Sequence, residues 1–449
     1  MLKVTTETLP NGLQVLYLRL PHVHAASLSF MTRAGPRYES EETNGLSHVM
    51  EHLLFRGTEA HPDSLSFHTA VEELGGEING LTQRDAVTVH MTVPPRNLSK
   101  AVRLLAEVCT EPLMTGLAVE RNVILEEIMD TQDADGRELD IDTLSRQALW
   151  DGHPMAMSVT GPVENVKRFK ESQARAHFKK TFTAANSVLV IAGPLDREAL
   201  SSVVRRAFRA LPRGQRQPEL APPTPPRWAP LHIRPTEEAQ VSVVLSFPAP
   251  HENHPEFGTL LLVKRLLDDG FGARLRQAIC EQRGLAYSLA VSVDAYRDCG
   301  ALDLELSCAP QKLVPAVTEM WSVLAELCAT PVPAAELRRA KNRHVADLEF
   351  ALDDPSELCG WYGASALVGA PVSYEERHAD LMATGPERVM RLCRAMFGRE
   401  HALLTLVGPV EPPQAARLAR IMGRSPGSTV WLDPADGAEE DEAPLSAVG

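Results

Sequence analysis

The sequence predicts an α+β protein of two duplicated domains, each a mainly antiparallel sheet packed with helices. Three observations carry this expectation. A proline-rich stretch at 212–230, PRGQRQPELAPPTPPRWAP, divides the chain nearly in half. Proline blocks helix and ladder hydrogen bonding and favours extended chain. The halves also end a strand alike, in NSVLVIAGP from Asn186 and HALLTLVGP from His401, with Gly193-Pro194 and Gly408-Pro409 standing 215 residues apart. Finally, a strand, polar turn and helix in VTVHMTVPPRNLSKAVRLLAEVCTEPL match those in LDLELSCAPQKLVPAVTEMWSVLAELCATPV. Each runs on into a charged helix, AVERNVILEEIMDTQ or AAELRRAKNRHVADLEF. One duplicated unit explains all of this. The expected divisions are 1–211, the linker 212–230, 231–430, and an acidic tail at 431–449. From Asp433 onward the tail has no aromatic residue, and it is expected to be disordered.

In the first half, alternating apolar residues at 13–20 and 26–32 predict a pair of strands. Asn44 is a candidate cap for a helix over 45–55. A second helix is expected at 64–74, ended by Gly75-Gly76, with strands near 78–82 and 86–93. Helices follow near 97–109, 117–133, 138–150 and 163–178, then a strand at 187–192 and a helix at 195–210.

The bulk properties narrow the function classes. The 449 residues are 44% hydrophobic and 23% charged, as in globular proteins too long for a single core. No apolar run reaches a membrane-spanning length, and the N-terminus lacks a secretory pattern. A net charge of −14 argues against nucleic acid as a partner. Seven cysteines without a C-x-x-C spacing read as reduced structural thiols in a cytoplasmic protein.

Chemistry concentrates in His48-Val49-Met50-Glu51-His52, an H-x-x-E-H sequence inside GLSHVMEHLLFRGT. On a helix, residues four apart share a face, so His48 and His52 can grip one zinc ion, with Glu51 beside them as general base. This is the reversed form of a metallopeptidase signature. A catalytic zinc takes three protein ligands and keeps one position open, so a third ligand must come from elsewhere. His61, His68 and His90 lack ligand spacing and read as structural or surface residues. Leu54 and Phe55 read as core beneath the helix.

The blocks LPNGLQVLYL, RAGPRYE, GLSHVMEHLLFRGT, GGEINGLTQRDAVTVH, DGHPMAMSVTGPVENV and GLAYS stand in the order of one family. The chain, over about residues 5–420, resembles the pitrilysin/insulinase peptidases, the inverzincins, which include mitochondrial processing peptidase. The resemblance implies one zinc per chain held by His48, His52 and a glutamate on a later helix. Glu127, 75 residues past His52, matches that ligand. Neighbouring Glu126 points about 100° away round the helix. Glu120 shares a face with Glu127 and matches an acidic residue that supports the ligands. Glu51 would take a proton from the attacking water and pass it to the leaving amine. Asn79, Gly80 and Leu81 match an edge strand on which an extended peptide adds as a further strand.

The second half departs from the pattern. Tyr287 matches the family tyrosine of an Arg/Tyr pair that contacts substrate, but the arginine position holds Cys280, which cannot donate the same charged hydrogen bonds. Arg283 matches another basic residue of that block. A chain of two such domains is half of a clamshell. It implies a partner half: a second copy, or, favoured by Cys280, a zinc-less homologue carrying the intact Arg/Tyr pair. The expected function is a zinc endopeptidase acting on peptides or unfolded segments. The alternative is a non-catalytic or partner-dependent peptide-binding or assembly subunit.

Overall fold

The computed structural model describes residues 2–369 and 374–432. The first half runs β1 (Lys3–Thr8), β2 (Gln14–Arg19), β3 (Ala26–Thr32), α1 (Leu46–Leu54), α2 (Ser64–Glu72), β4 (Glu77–Thr82), β5 (Val87–Val93), α3 (Leu98–Thr110), α4 (Leu117–Met129), α5 (Ile141–Leu149), α6 (Val163–Arg168), α7 (Glu171–Thr181), β6 (Ser187–Gly193) and α8 (Arg197–Ala207). The second half runs β7 (Leu231–Arg234), β8 (Val241–Pro248), α9 (Phe257–Leu267), β9 (Ser288–Ala295), β10 (Gly300–Cys308), α10 (Leu313–Ala329), α11 (Ala334–Ala351), α12 (Pro355–Val368), α13 (Tyr374–Ala383), α14 (Pro386–Met396), β11 (Leu403–Val407), α15 (Pro412–Ile421) and β12 (Thr429–Trp431).

Each half is a six-stranded sheet, ordered β1-β2-β6-β3-β5-β4 and β12-β7-β11-β8-β10-β9. From the second place onward the two orders correspond strand for strand. The outer place is filled by the N-terminal strand in one sheet and the C-terminal strand in the other. β2 runs parallel to β6 and β7 parallel to β11, so the duplication reaches strand direction.

Sheet-to-helix packing follows the period of two. In β5, Val87, Val89, Met91 and Val93 join the core under the helices with Leu53, Leu105 and Phe67, while Thr88 and His90 face the other way. That other face is covered by the opposite half. α12 lies across β3 and β6, and α5 lies across β8 and β11. The exchange interlocks the halves. Arg146 on α5 is 1% exposed and pairs with Asp294 at 2.8 Å and Asp303 at 2.5 Å on the other sheet.

Several expectations need correction. The strands at 13–20 and 26–32 are not partners; β6 lies between β2 and β3, because a parallel crossover threads the C-terminal strand of the unit into the middle of the sheet. The helix expected at 163–178 is two helices, broken where Phe169 turns extended and buries its ring in the core. β1, with the mostly polar sequence KVTTET, gave too little alternation to be foreseen. The linker 212–230 has no regular structure but is tied down, with Gln217 N donating to Asn186 Oδ1 at 3.0 Å. β12 takes in Trp431, so ordered chain extends past 430. The expectation for the acidic tail beyond residue 432 lies outside the described residues. Among the described residues no single helix is long and apolar enough to cross a membrane.

Candidate metal centre and its edge strand

α1 buries Leu46, Val49, Met50, Leu53 and Leu54, a helical spacing that turns His48, Glu51 and His52 to the opposite side. Asn44 does not cap the helix. The N-cap is Gly45, at φ 93°, where a Cβ would lie 2.5 Å from the carbonyl oxygen of Thr160. The cap comes from Glu39 instead. Its carboxylate accepts from Gly45 N at 2.9 Å and Ser47 N at 2.7 Å, and Asn44 is drawn away to Glu39 and the carbonyl of Ser158. A carboxylate at a helix N-terminus satisfies free N–H groups and the helix dipole together. Ser47 Oγ, accepting from Gly35 N at 2.8 Å and contacting His177 Nε2 at 2.8 Å, clamps the same end.

α4 packs against α1 and brings Glu127 to the two histidines. Glu127 Oε2 is 3.6 Å from Nε2 of His48 and 3.6 Å from Nε2 of His52. Among the described residues, this trio forms the one metal-binding cluster, with ligand atoms all within 4.8 Å of one another. At 3.6 Å the atoms converge without hydrogen-bonding each other. A tetrahedral zinc with bonds of about 2.0–2.1 Å holds its donors about 3.4 Å apart, so the donor set fits that ion. Burial, with some help from His52, pushes the His48 imidazole down to about 3, which keeps it a neutral lone-pair donor. Glu120 Oε2 lies 3.0 Å from His52 Nδ1, and its Oε1 3.2 Å from Arg56. With the proton on Nδ1, Nε2 is left free to ligate. Glu126 is exposed and is not part of the ligand cluster.

Glu51 lies between α1 and β4. Its carboxyl is raised by burial, an effect opposed by His52 and by a hydrogen bond from Thr82 Oγ1 to Oε2 at 3.3 Å. Opposite it is Gly80: a Cβ there would stand 2.1 Å from Glu51 Oε1. Gly80 and Thr82 therefore face the metal centre, while Asn79 and Leu81 face away, in register with His90 and Thr88 of β5. β4 is the edge of its sheet, and its outer backbone groups have no strand beside them. Thr82 and Arg56 were missed from sequence; period-two alternation from Gly80 would have found Thr82. His61 pairs with Glu107 at 3.0 Å, Leu54 is buried and Phe55 packs on the core.

In the second half the corresponding place holds different chemistry. The buried residues Thr259, Leu260, Leu262, Val263, Leu266 and Leu267 of α9 repeat the spacing of those in α1. Leu261, Lys264 and Arg265 thus stand where His48, Glu51 and His52 stand. α11 packs on α9 as α4 does on α1, and Asp347 on α11 pairs with Arg265 at 2.7 Å. An internal ion pair replaces the metal ligands. Arg283 pairs with Glu319 at 3.0 Å, and Tyr287 is 97% exposed. Cys280 sits in a π-helical turn, Arg276–Glu281, half-buried against the core, and burial raises its thiol.

The fold is a two-sheet duplication in which one helix pair carries a zinc-type ligand cluster and its counterpart an ion pair. Residues 14–163 match the family model "Insulinase (Peptidase family M16)" and residues 168–343 match "Peptidase M16 inactive domain"; the chain belongs to the M16 peptidase family. A protein of Streptomyces coelicolor named as an uncharacterized zinc protease is 26% identical over 426 residues, covering 92% of each chain. The mitochondrial-processing peptidase subunit beta of Dictyostelium discoideum is 24% identical over 430 residues, covering 91% of this chain and 90% of that one. A crystal structure of a peptidase M16 inactive domain from Pseudomonas fluorescens superposes with a TM-score of 0.82 at 21% identity, over 91% of this chain and 98% of the other.

Proposed function

We propose that this chain is a zinc-dependent endopeptidase that cleaves peptides or unfolded segments lying as an added strand along β4. The observation that carries the reading is the convergence of His48, His52 and Glu127 within reach of Glu51, itself held against the free edge of β4. Zinc bound there supplies a Lewis acid that acidifies water and polarises a carbonyl. The residues of the chain do the rest. β4 holds the substrate through backbone hydrogen bonds that ignore sequence. Asn79 orients the added strand, and Gly80 leaves room for Glu51 beside it. Glu51, steadied by Thr82, takes a proton from the attacking water and delivers it to the leaving amine. Glu120 keeps His52 in its ligating orientation.

The chamber is completed by a second half-length chain. Cys280 in place of an arginine favours a zinc-less homologue with the intact Arg/Tyr pair over a second copy. The free cysteines suit the reducing cytoplasm.

The test compares the zinc-loaded chain with Glu51→Gln on an unstructured peptide mixture, with bound zinc measured in both. Cleavage by the first and none by the second, at equal zinc, is expected. Cleavage at equal rates would refute the mechanism. Zinc retention without cleavage by either would refute self-sufficiency and send the search to the partner half.

A further inference from the structure

Behind β4, on the face away from the metal centre, lies a cavity of about 460 Å³. Its roof is the back of the first sheet, including Leu81, Thr88 and His90, and its walls are α12 and β9 from the second half. The half-exposed Leu81 stands at its margin. Three carboxylates line it, Asp85, Glu252 and Asp294, and among the described residues no lysine or arginine does. Glu252 is engaged with Arg377 at 3.2 Å and Asp294 with Arg146. Asp85, in the β4–β5 turn, has no hydrogen bond or ion pair among the described residues.

We propose that this cavity is a substrate subsite for a lysine or arginine side chain, with the Asp85 carboxylate as its ion-pair partner. The proposal rests on the peptidase reading and deepens it. A strand added beside β4 shares its pleat, so successive side chains alternate between the two faces. Those alongside Gly80 face Glu51 and the metal centre. Those between them face the cavity. A half-buried carboxylate without a partner is costly, and a cationic side chain arriving with the substrate would supply the missing contact. The charged groups that act on Asp85 from around it are Arg37, Glu252, Arg33 and Asp298. Arg37 is bound to Asp298 at 2.6 Å and Glu252 to Arg377, and the buried Arg33 attracts Asp85 without a hydrogen bond or ion pair to it, which leaves the carboxylate open to a closer cation. The apolar lining from Met31, Val293 and Leu367 suits the methylene stem of a long basic side chain.

The experiment separates the subsite from catalysis by using zinc-loaded Glu51→Gln protein. A fluorescein-labelled unstructured peptide is scanned with lysine, norleucine or glutamate at each position, and binding is read by anisotropy. Lysine should bind about tenfold more tightly than norleucine at one position, a charge-assisted contact of ordinary strength, with its immediate neighbours indifferent. Adding Asp85→Asn should abolish that ratio, and Asp85→Lys should shift the preference to glutamate. Equal affinities for lysine and norleucine at every position, or a lysine preference untouched by both substitutions, would overturn the proposal. Failure of the peptidase reading shows separately, as unchanged cleavage by Glu51→Gln in the preceding test.

Discussion

Removing the Glu120 carboxylate tests whether the metal centre is built as its geometry implies. Glu120 Oε2 stands 3.0 Å from Nδ1 of His52, and Oε1 3.2 Å from Arg56. In Glu120→Ala the imidazole loses the partner that orients it, and Arg56 is left with its charge uncompensated close to the ligand set. Loss of a carboxylate behind a ligating histidine weakens metal binding about 10–100-fold, which is about 1.4–2.7 kcal/mol. Glu120→Gln keeps an acceptor oxygen and loses the charge, so its effect should fall between Ala and wild type. The assay is zinc competition against a fluorescent chelator at neutral pH, with circular dichroism as a check on folding. Hydrolysis should return toward the wild-type rate as free zinc is raised. An unchanged zinc Kd in a folded Glu120→Ala protein would refute the argument. So would a hydrolysis defect that persists at saturating zinc, since that would place Glu120 on substrate instead of on His52.

Other expectations follow from the same geometry. The Cβ of Gly80→Ala would displace the flexible end of Glu51 and should lower kcat by less than about tenfold. Gly80→Val would fill the carboxylate's place and cost about 100-fold, as misplaced catalytic groups do, with zinc content unchanged; equal kcat for all three would show that Glu51 works from elsewhere. Arg146→Ala strands Asp294 and Asp303 between the halves and should destabilise the fold by about 3–5 kcal/mol, read by denaturant unfolding. Burial, moderated first by Arg37, raises the Asp85 carboxyl to about 6 from 3.8. A carboxyl raised in the folded state is most at ease protonated, so its cost is absent well below pH 4, grows between about pH 4 and 6, and levels off above that at about 3 kcal/mol. Asp85→Asn should therefore raise Tm at pH 8 and leave it unchanged at pH 4; the opposite pH dependence would show that Asp85 is stabilised by Arg33 and Arg37.

The divergence of the two halves has a simple physical form. The same helix pair carries imidazoles facing a glutamate in one copy and an arginine facing an aspartate in the other. Both solutions satisfy charged groups at a helix crossing, but the second is complete without a ligand. An arginine remains protonated under all ordinary conditions and cannot coordinate a cation, which leaves Arg265 and Asp347 a structural pair.

What could be read from residues alone was whatever depends on local periodicity. The 3.6-residue spacing of His48, Glu51 and His52, the alternation in β5 and the repeated strand-turn-helix blocks are short-range patterns, and they predicted the duplicated α+β architecture and the zinc-type face of α1. Resemblance, and not spacing, supplied Glu127, because nothing in 74 intervening residues says that α4 will cross α1. The rest was decided by tertiary packing. β6 lies between β2 and β3, parallel to the first and antiparallel to the second, a pairing across more than 150 residues that the alternation within each strand does not specify. Glu39, not Asn44, caps the metal helix because chain folding delivers a buried carboxylate to that end. α5 and α12 each cover the other half's sheet, and so the cavity behind β4, with Asp85 beside it, exists only once the halves interlock. A side chain's neighbours across such a distance are set by the shape of the whole, which local pattern does not encode.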